Sequence, residues 1–91
     1  MKTNDPLKNQ IFEIIENQIR ENSPKETKIT YERLIELGYS KIESKQFMSQ
    51  CMAIELLDVL EYKKPFNETR YVSNLKGLPK EPINKKQQIR F

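Results

Sequence analysis

Apolar residues in the first part of the chain recur every three or four positions, the spacing of a helix with one face on a core. The first set is Leu7, Ile11, Ile14, Ile15 and Ile19. It follows Asp5-Pro6, a pair suited to the N-cap and the first helical position. The pattern predicts a helix over residues 6–22, with Glu16 and Arg20 paired on its polar surface four residues apart.

A second helix is predicted over residues 24–37 from the signals at its two ends. Ser23 and Glu26 have the spacing of a capping box, in which each side chain accepts a hydrogen bond from the other residue's backbone N–H. Gly38 follows the last apolar residue, and glycine commonly ends a helix in the left-handed conformation. A later start at Thr30 stays open, because the β-branched residues around it are weak helix formers.

The third predicted helix is the longest and covers residues 41–63. Ser40 and Glu43 form another capping-box pattern at its start, and no helix-breaking residue follows until Pro65. Its residues 47–62 are apolar on nearly every side, which is typical of a buried helix. The other predicted helices are shorter, so we expect them to leave part of this helix uncovered.

The uncovered part of the third helix predicts self-association. The residues placed on this strip are Met48, Met52, Leu56 and Val59. Exposed apolar strips mark interfaces, and a two-fold homodimer is the commonest way to close one. The alternative is a monomer in which Ile83 and Ile89, near the C-terminus, cover the same strip.

Two acidic residues, Glu55 and Asp58, interrupt the apolar surface of the third helix. They are the candidate functional acids of the chain, since two carboxyl groups with separated pKa values are enough for acid–base chemistry. The interpretation that we favour is structural. In it, the two acids point along a groove to water or pair with a nearby lysine or arginine.

A short fourth helix is predicted over residues 68–76. Asn67 suits its N-cap, and Phe66 is placed to contact Tyr71 one turn into the helix. Together the four helices predict an all-α fold, a compact bundle within a single domain over residues 1–79.

Charge is divided unevenly along the chain. Residues 1–62 carry eight Lys/Arg and eleven Asp/Glu, whereas residues 63–91 carry eight Lys/Arg and two Glu. Residues 80–91 have little to bury and are predicted to be a basic tail, either flexible or docked. The predicted anion contacts are Lys63, Lys64, Arg70, Lys85, Lys86 and Arg90. Because aromatic residues lie among them, a nucleic-acid-associated protein using the C-terminal segment is the alternative function.

Several classes of chemistry lack their key residues. The chain has no histidine, which excludes Ser-His-Asp and Cys-His catalysis and histidine metal sites. Its one cysteine, Cys51, excludes an internal disulfide and a four-cysteine zinc site, and its apolar neighbours indicate a core residue. The two glycines do not form the cluster that a phosphate-binding loop requires. We therefore predict no enzymatic activity, no metal and no cofactor.

The compartment is predicted from what the sequence lacks. No apolar run approaches the ~20 residues of a membrane span. The first residues have no apolar segment of the kind found in secretory signals. With one unpaired cysteine as well, we expect a cytoplasmic protein that makes no membrane contact.

Several short segments give the chain a resemblance to a known group of proteins. They are Glu16-Asn17-Gln18-Ile19, Pro24, Tyr31-Glu32-Arg33-Leu34, Gly38-Tyr39-Ser40 and the helix that carries Glu55. Over about residues 13–79 the arrangement resembles small bacterial all-helical proteins classed as domains of unknown function. The resemblance implies a compact helical domain and supplies no catalytic residues. The function predicted is a non-catalytic protein–protein interaction module.

Overall fold

The structure is a computed structural model that describes residues 6–80, together with the backbone of residues 83–84 and 87–88. Its helices are α1 (Pro6–Glu21), α2 (Lys25–Glu36), α3 (Lys41–Tyr62) and α4 (Glu68–Gly77). The predicted all-α bundle of four helices is confirmed, and every helix end lies within one residue of its predicted position.

Two short strands follow the helices. They are β1 (Ile83–Asn84) and β2 (Gln87–Gln88), which pair antiparallel with Ile83 opposite Gln88 and Asn84 opposite Gln87. This pairing was not predicted from the sequence. The other residues of the predicted tail beyond Lys80 lie outside the described part of the chain, as does Asp5, the predicted N-cap of α1.

The helices α2 and α3 form the centre of the bundle. α1 packs against both of them, and α4 packs against both of them as well. The core that results contains Ile11, Ile15, Leu34, Met48, Cys51, Met52, Tyr71, Leu75 and Leu78. Fully burying one large apolar side chain stabilises a fold by roughly 1.5–3 kcal/mol, so this cluster is the main source of stability.

Three of the predicted helix ends are confirmed. Ser40 and Glu43 form the capping box of α3, with the Ser40 N–H donating to the Glu43 carboxylate at 2.9 Å and the Glu43 N–H donating to Ser40 Oγ at 3.0 Å. Asn67 Oδ1 accepts from the Arg70 N–H at 3.0 Å and begins α4. Gly38 ends α2 with a φ of +106°, a conformation that favours glycine.

The predicted capping box at Ser23 is wrong. Pro24 is the N-cap of α2 and has extended backbone (φ −68°, ψ 149°), so the helix begins at Lys25. Ser23 therefore lies one residue too far from the first turn to cap it. Its backbone N–H donates to the Gln18 carbonyl at 3.1 Å instead, which helps to end α1.

The predicted surface pair between Glu16 and Arg20 is also wrong. Glu16 accepts from Lys45 Nζ of α3 at 2.9 Å, and the Arg20 guanidinium donates to the side chain of Asn17. Because α1 packs against α3, a lysine distant in sequence reaches Glu16. Spacing within one helix gives no sign of such a contact.

Candidate interaction surface

A buried ion cluster joins α3 to α4. On α3, Glu55 is fully buried and Asp58 is 5% exposed. Arg70 of α4 donates from Nε and Nη2 to the Glu55 carboxylate at 2.7 and 3.1 Å, and from Nη2 to Asp58 at 2.5 Å. The hydrogen bond to Glu55 raises the pKa of Arg70, which keeps the guanidinium charged. The expected pairing of the two acids with a basic side chain is confirmed.

The same acids fix the loop between the two helices. Glu55 Oε1 accepts a further hydrogen bond from the Asn67 backbone N–H at 3.3 Å. The Asp58 carbonyl accepts from the backbone N–H groups of Lys63 and Lys64, and Lys63 ends α3 with a left-handed φ of 56°. Glu55 and Asp58 thus anchor this loop through both side-chain and backbone contacts.

The geometry of Glu55 and Asp58 supports a structural role. Both carboxylates contact the same arginine, and the two oxygens of Glu55 accept three hydrogen bonds. Within the described residues, no group of three or more His, Cys, Asp or Glu side chains is placed to hold a metal ion. Glu55 and Asp58, the candidate functional acids, therefore connect α3 to α4.

The predicted anion contacts fall into three groups. Lys63 and Lys64 are exposed at the end of α3, and Lys64 lines an open groove of about 610 Å³ at the start of α4. Arg70 does not fit the role, because its guanidinium is committed to Glu55 and Asp58 and its side chain is 11% exposed. The remaining three, Lys85, Lys86 and Arg90, lie outside the described residues.

Cys51 is a core residue, as predicted. It is fully buried on α3, one turn before Glu55. Burial raises the pKa of its thiol to about 12, and the charge of Glu55 adds to the rise. The thiol is therefore neutral at physiological pH, and a neutral buried thiol is a poor nucleophile.

Sequence reasoning missed a second buried polar cluster, which joins α1, α2 and α4. Gln18 Oε1 accepts from the hydroxyl groups of Thr27 at 2.8 Å and Tyr71 at 2.7 Å. Tyr71 is fully buried, and burial raises the pKa of its phenol. The signal that was present is the position of Gln18, seven residues after Ile11 and therefore on the apolar side of α1.

Arg33 of α2 was also missed. Its guanidinium donates to the backbone carbonyls of Leu78 at 2.6 Å and Leu75 at 3.0 Å, at the C-terminal end of α4. Carbonyls at a helix end lack the usual partner one turn further on, and Arg33 supplies donors to them, although the Leu75 carbonyl also accepts from the Leu78 N–H at 3.2 Å. In the sequence, Arg33 resembles any other charged residue on a helix surface.

The solvent-facing side of α3 carries no charge over four turns. Between Lys45 and Glu61, every exposed or half-buried residue of this helix is uncharged, because the two acids in that stretch are buried. Leu57 and Leu60 are 42% and 62% exposed. We call this surface the neutral stripe, and its residues are Gln46, Ser49, Gln50, Ala53, Leu57 and Leu60.

The interface strip predicted from the sequence is misplaced. Met48 and Met52 are 0% and 2% exposed and belong to the core, so neither contributes to a surface. Leu56 and Val59 are half-buried. The cause is that α1, α2 and α4 all pack against α3 and cover the methionine side, which leaves Leu57 and its neighbours outside. A helix that is apolar all round gives no sign of which side its neighbours will cover.

Comparisons with known proteins add no relative. No protein-family model matches the chain, and searches of curated proteins and of solved structures found no match. The resemblance to small bacterial helical proteins therefore stays a prediction. Among the described helices, none is both long enough and apolar enough to cross a membrane.

Proposed function

We propose that the protein is a non-catalytic protein–protein interaction module that binds through the neutral stripe of α3. The observation that carries this proposal is the exposure of Leu57 and Leu60 on a surface without charge. The chain as a whole is 32% charged, so a solvated helix face of this length would normally include several lysines or glutamates. Interface cores are depleted of charged residues in the same way.

The scaffold beneath the neutral stripe supports the proposal. The opposite side of α3 packs against three other helices, and the ion cluster with Arg70 holds its C-terminal half to α4. A surface held in this way loses little conformational freedom when a partner binds, which favours affinity.

The composition of the stripe indicates the kind of partner it suits. Ser49 and Ala53, near its middle, are small and half-buried, so a second helix can approach to the usual interaxial distance of about 8–10 Å. A strongly charged partner surface would lose hydration there without gaining an opposite charge. The partner that fits is an uncharged, apolar helix face.

Affinity capture with matched variants tests the proposal. Tagged wild-type protein, the Leu57→Glu/Leu60→Glu double variant and the Ile29→Glu control are exposed to native lysate, and the bound proteins are quantified. Ile29 is 56% exposed on α2, so the control adds a charge at similar exposure away from the stripe. Circular dichroism establishes that all three remain helical.

We expect at least one protein, the untagged chain included, to bind wild type and control equally and to bind the double variant about tenfold less. The reason is that burying an unpaired charge in an interface costs at least about 1.4 kcal/mol, which corresponds to a tenfold loss of affinity. Equal capture by all three proteins would contradict the proposal.

Nucleic-acid binding is the second candidate function. Lys63 is exposed at the end of α3, and Phe66 after it is 43% exposed, a combination suited to phosphate contact and base stacking. The basic excess after residue 62 supports it further. Nuclease treatment of the same lysate separates the two functions. Capture that nuclease abolishes and that the double variant retains would favour the nucleic-acid function.

A further inference from the structure

The neutral stripe has a regular order of large and small side chains. Along α3, Leu57 lies between Ala53 on one side and Leu60 on the other. At 1.5 Å per residue these neighbours are about 6 Å and about 4.5 Å away along the helix axis. A small side chain and a large one thus lie at nearly equal distances from Leu57, in opposite directions.

This order makes the C-terminal part of the stripe, from Ala53 to Leu60, complementary to itself when a second copy runs antiparallel. With a two-fold axis at Leu57, the two Leu57 side chains meet on the axis. Leu60 of each copy then packs over Ala53 of the other, so that each large side chain faces a small one. We propose, on the basis of the proposed function, that the partner of the neutral stripe is a second copy of this chain in this antiparallel arrangement.

Electrostatics support a second copy. The whole chain carries sixteen Lys/Arg and thirteen Asp/Glu, a net charge of +3, so two copies meet with only modest net repulsion. The stripe itself brings no like charges together, because it has none. Two-fold symmetry requires a surface that matches itself, and an uncharged surface meets that condition.

Charges at the ends of the stripe favour the axis at Leu57 over one at Ala53. Glu43 and Glu61 are both exposed, and their separation of five whole turns places them on the same side of α3. An axis at Ala53 would bring Glu61 of one copy beside Glu43 of the other, and like charges in contact are destabilising. An axis at Leu57 instead places Glu61 level with Ala53 of the other copy and about 4.5 Å along the axis from Gln50, and both of these residues are uncharged.

The size of the stripe predicts a weak dimer. With the axis at Leu57, the part of the stripe that meets its counterpart in the other copy runs from Ala53 to Leu60, about 10 Å along the helix, and a helix with side chains is about 10 Å wide. Such a strip is smaller than the roughly 800 Å² that each partner buries in a stable interface of standard size. We therefore expect copies that associate and separate as the concentration changes.

Disulfide mapping tests the arrangement. Single cysteines replace Leu57, Ala53 or Leu60, with Ile29→Cys as the exposed control on α2. The native Cys51 stays in place, because it is fully buried and its thiol is neutral. Cross-linked dimer is measured over time under a mild oxidant, and circular dichroism checks that each variant is folded.

The expected result is dimer formation by Leu57→Cys at least about tenfold faster than by Ile29→Cys, since association raises the effective thiol concentration. Ala53→Cys mixed with Leu60→Cys should give mainly the mixed dimer. In the arrangement inferred, the two Ala53 positions are about 12 Å apart along the axis and the two Leu60 positions about 9 Å apart.

Cross-linking of Leu57→Cys at the rate of Ile29→Cys would overturn the second-copy inference. The proposed function would not be affected by that result. Affinity capture would still test it, since a partner other than a second copy should bind wild type and not the double variant. Fast cross-linking at Leu57 with no preference for the mixed dimer would overturn the antiparallel arrangement.

Discussion

The first helix and the second half of the third differ in where they place charged side chains. In α1, Ile15 is fully buried while Glu16 is exposed, the ordinary arrangement of an amphipathic helix. In the second half of α3, Glu55 is fully buried while Leu57 and Leu60 are exposed. The second half of α3 therefore buries charged residues beside apolar ones such as Ile54, whereas every acidic residue of α1 is exposed.

The stability of the fold explains the buried acids of α3 but does not explain its exposed leucines. Buried carboxylates are tolerated when they are paired and hydrogen-bonded, and Arg70 supplies both conditions for Glu55 and Asp58. Within the described residues, we find no contact of Leu60 that offsets the unfavourable free energy of exposing its side chain in the same way. The uncharged surface around Leu57 and Leu60 is a departure from local consistency of the kind expected at functional surfaces, and the interaction surface is proposed there for that reason.

The largest effect is expected from removing the buried charge. Glu55→Gln leaves the Arg70 guanidinium facing an amide, with its contact to Asp58 still in place, and the loss of the charged hydrogen bonds should lower the free energy of unfolding by about 2 kcal/mol. Glu16→Gln is the matched control on α1, where an exposed pair with Lys45 contributes about 0.5 kcal/mol or less. Urea denaturation of both variants measures the difference. Equal losses would mean that the two helices do not differ as described.

A smaller effect concerns pH and uses Cys51, on the buried side of α3. Burial raises the pKa of its thiol from 9.0 to about 12. Above pH 9 the unfolded chain therefore loses this proton first, so the stability from this group is complete below pH 9 and falls as the pH rises, by up to about 1.4 kcal/mol per pH unit.

The variant Cys51→Ala removes this contribution while Tyr71, whose phenol pKa is also raised by burial, keeps its own. Stability measured by urea denaturation between about pH 8 and about pH 11 should fall less steeply for the variant than for wild type. Parallel pH profiles of stability for the two proteins would show that burial does not raise the pKa of the Cys51 thiol.

Local signals explain how much of the fold was predictable. Ser40, Asn67 and Gly38 fixed helix ends through contacts within a few residues, so their roles could be inferred from spacing. The prediction that Ser23 caps α2 was wrong because Pro24 is the N-cap and the helix begins one residue later. Element bounds depend on short-range chemistry, and the sequence displays that chemistry directly.

The candidate site was only partly predictable, because its geometry depends on contacts between helices. The need of Glu55 for a basic partner was inferred, but Arg70 was assigned to anions, since nothing in the sequence shows that α4 turns it inward. Met48 and Met52 were placed on a surface strip for a related reason. The covered side of an all-apolar helix is set by the packing of its neighbours, which its own periodicity does not record.

In the proposed dimer, the second copy covers Leu60, which is 62% exposed in a single copy. Light scattering over about a hundredfold range of concentration tests this most directly, since association follows mass action. Wild type and the Ile29→Glu control should rise from the mass of one chain towards that of two as the concentration increases. Leu60→Glu should stay at one chain while its helical content is unchanged. A single-chain mass for wild type at every concentration would exclude the dimer, and the same rise in Leu60→Glu would exclude Leu60 from its interface.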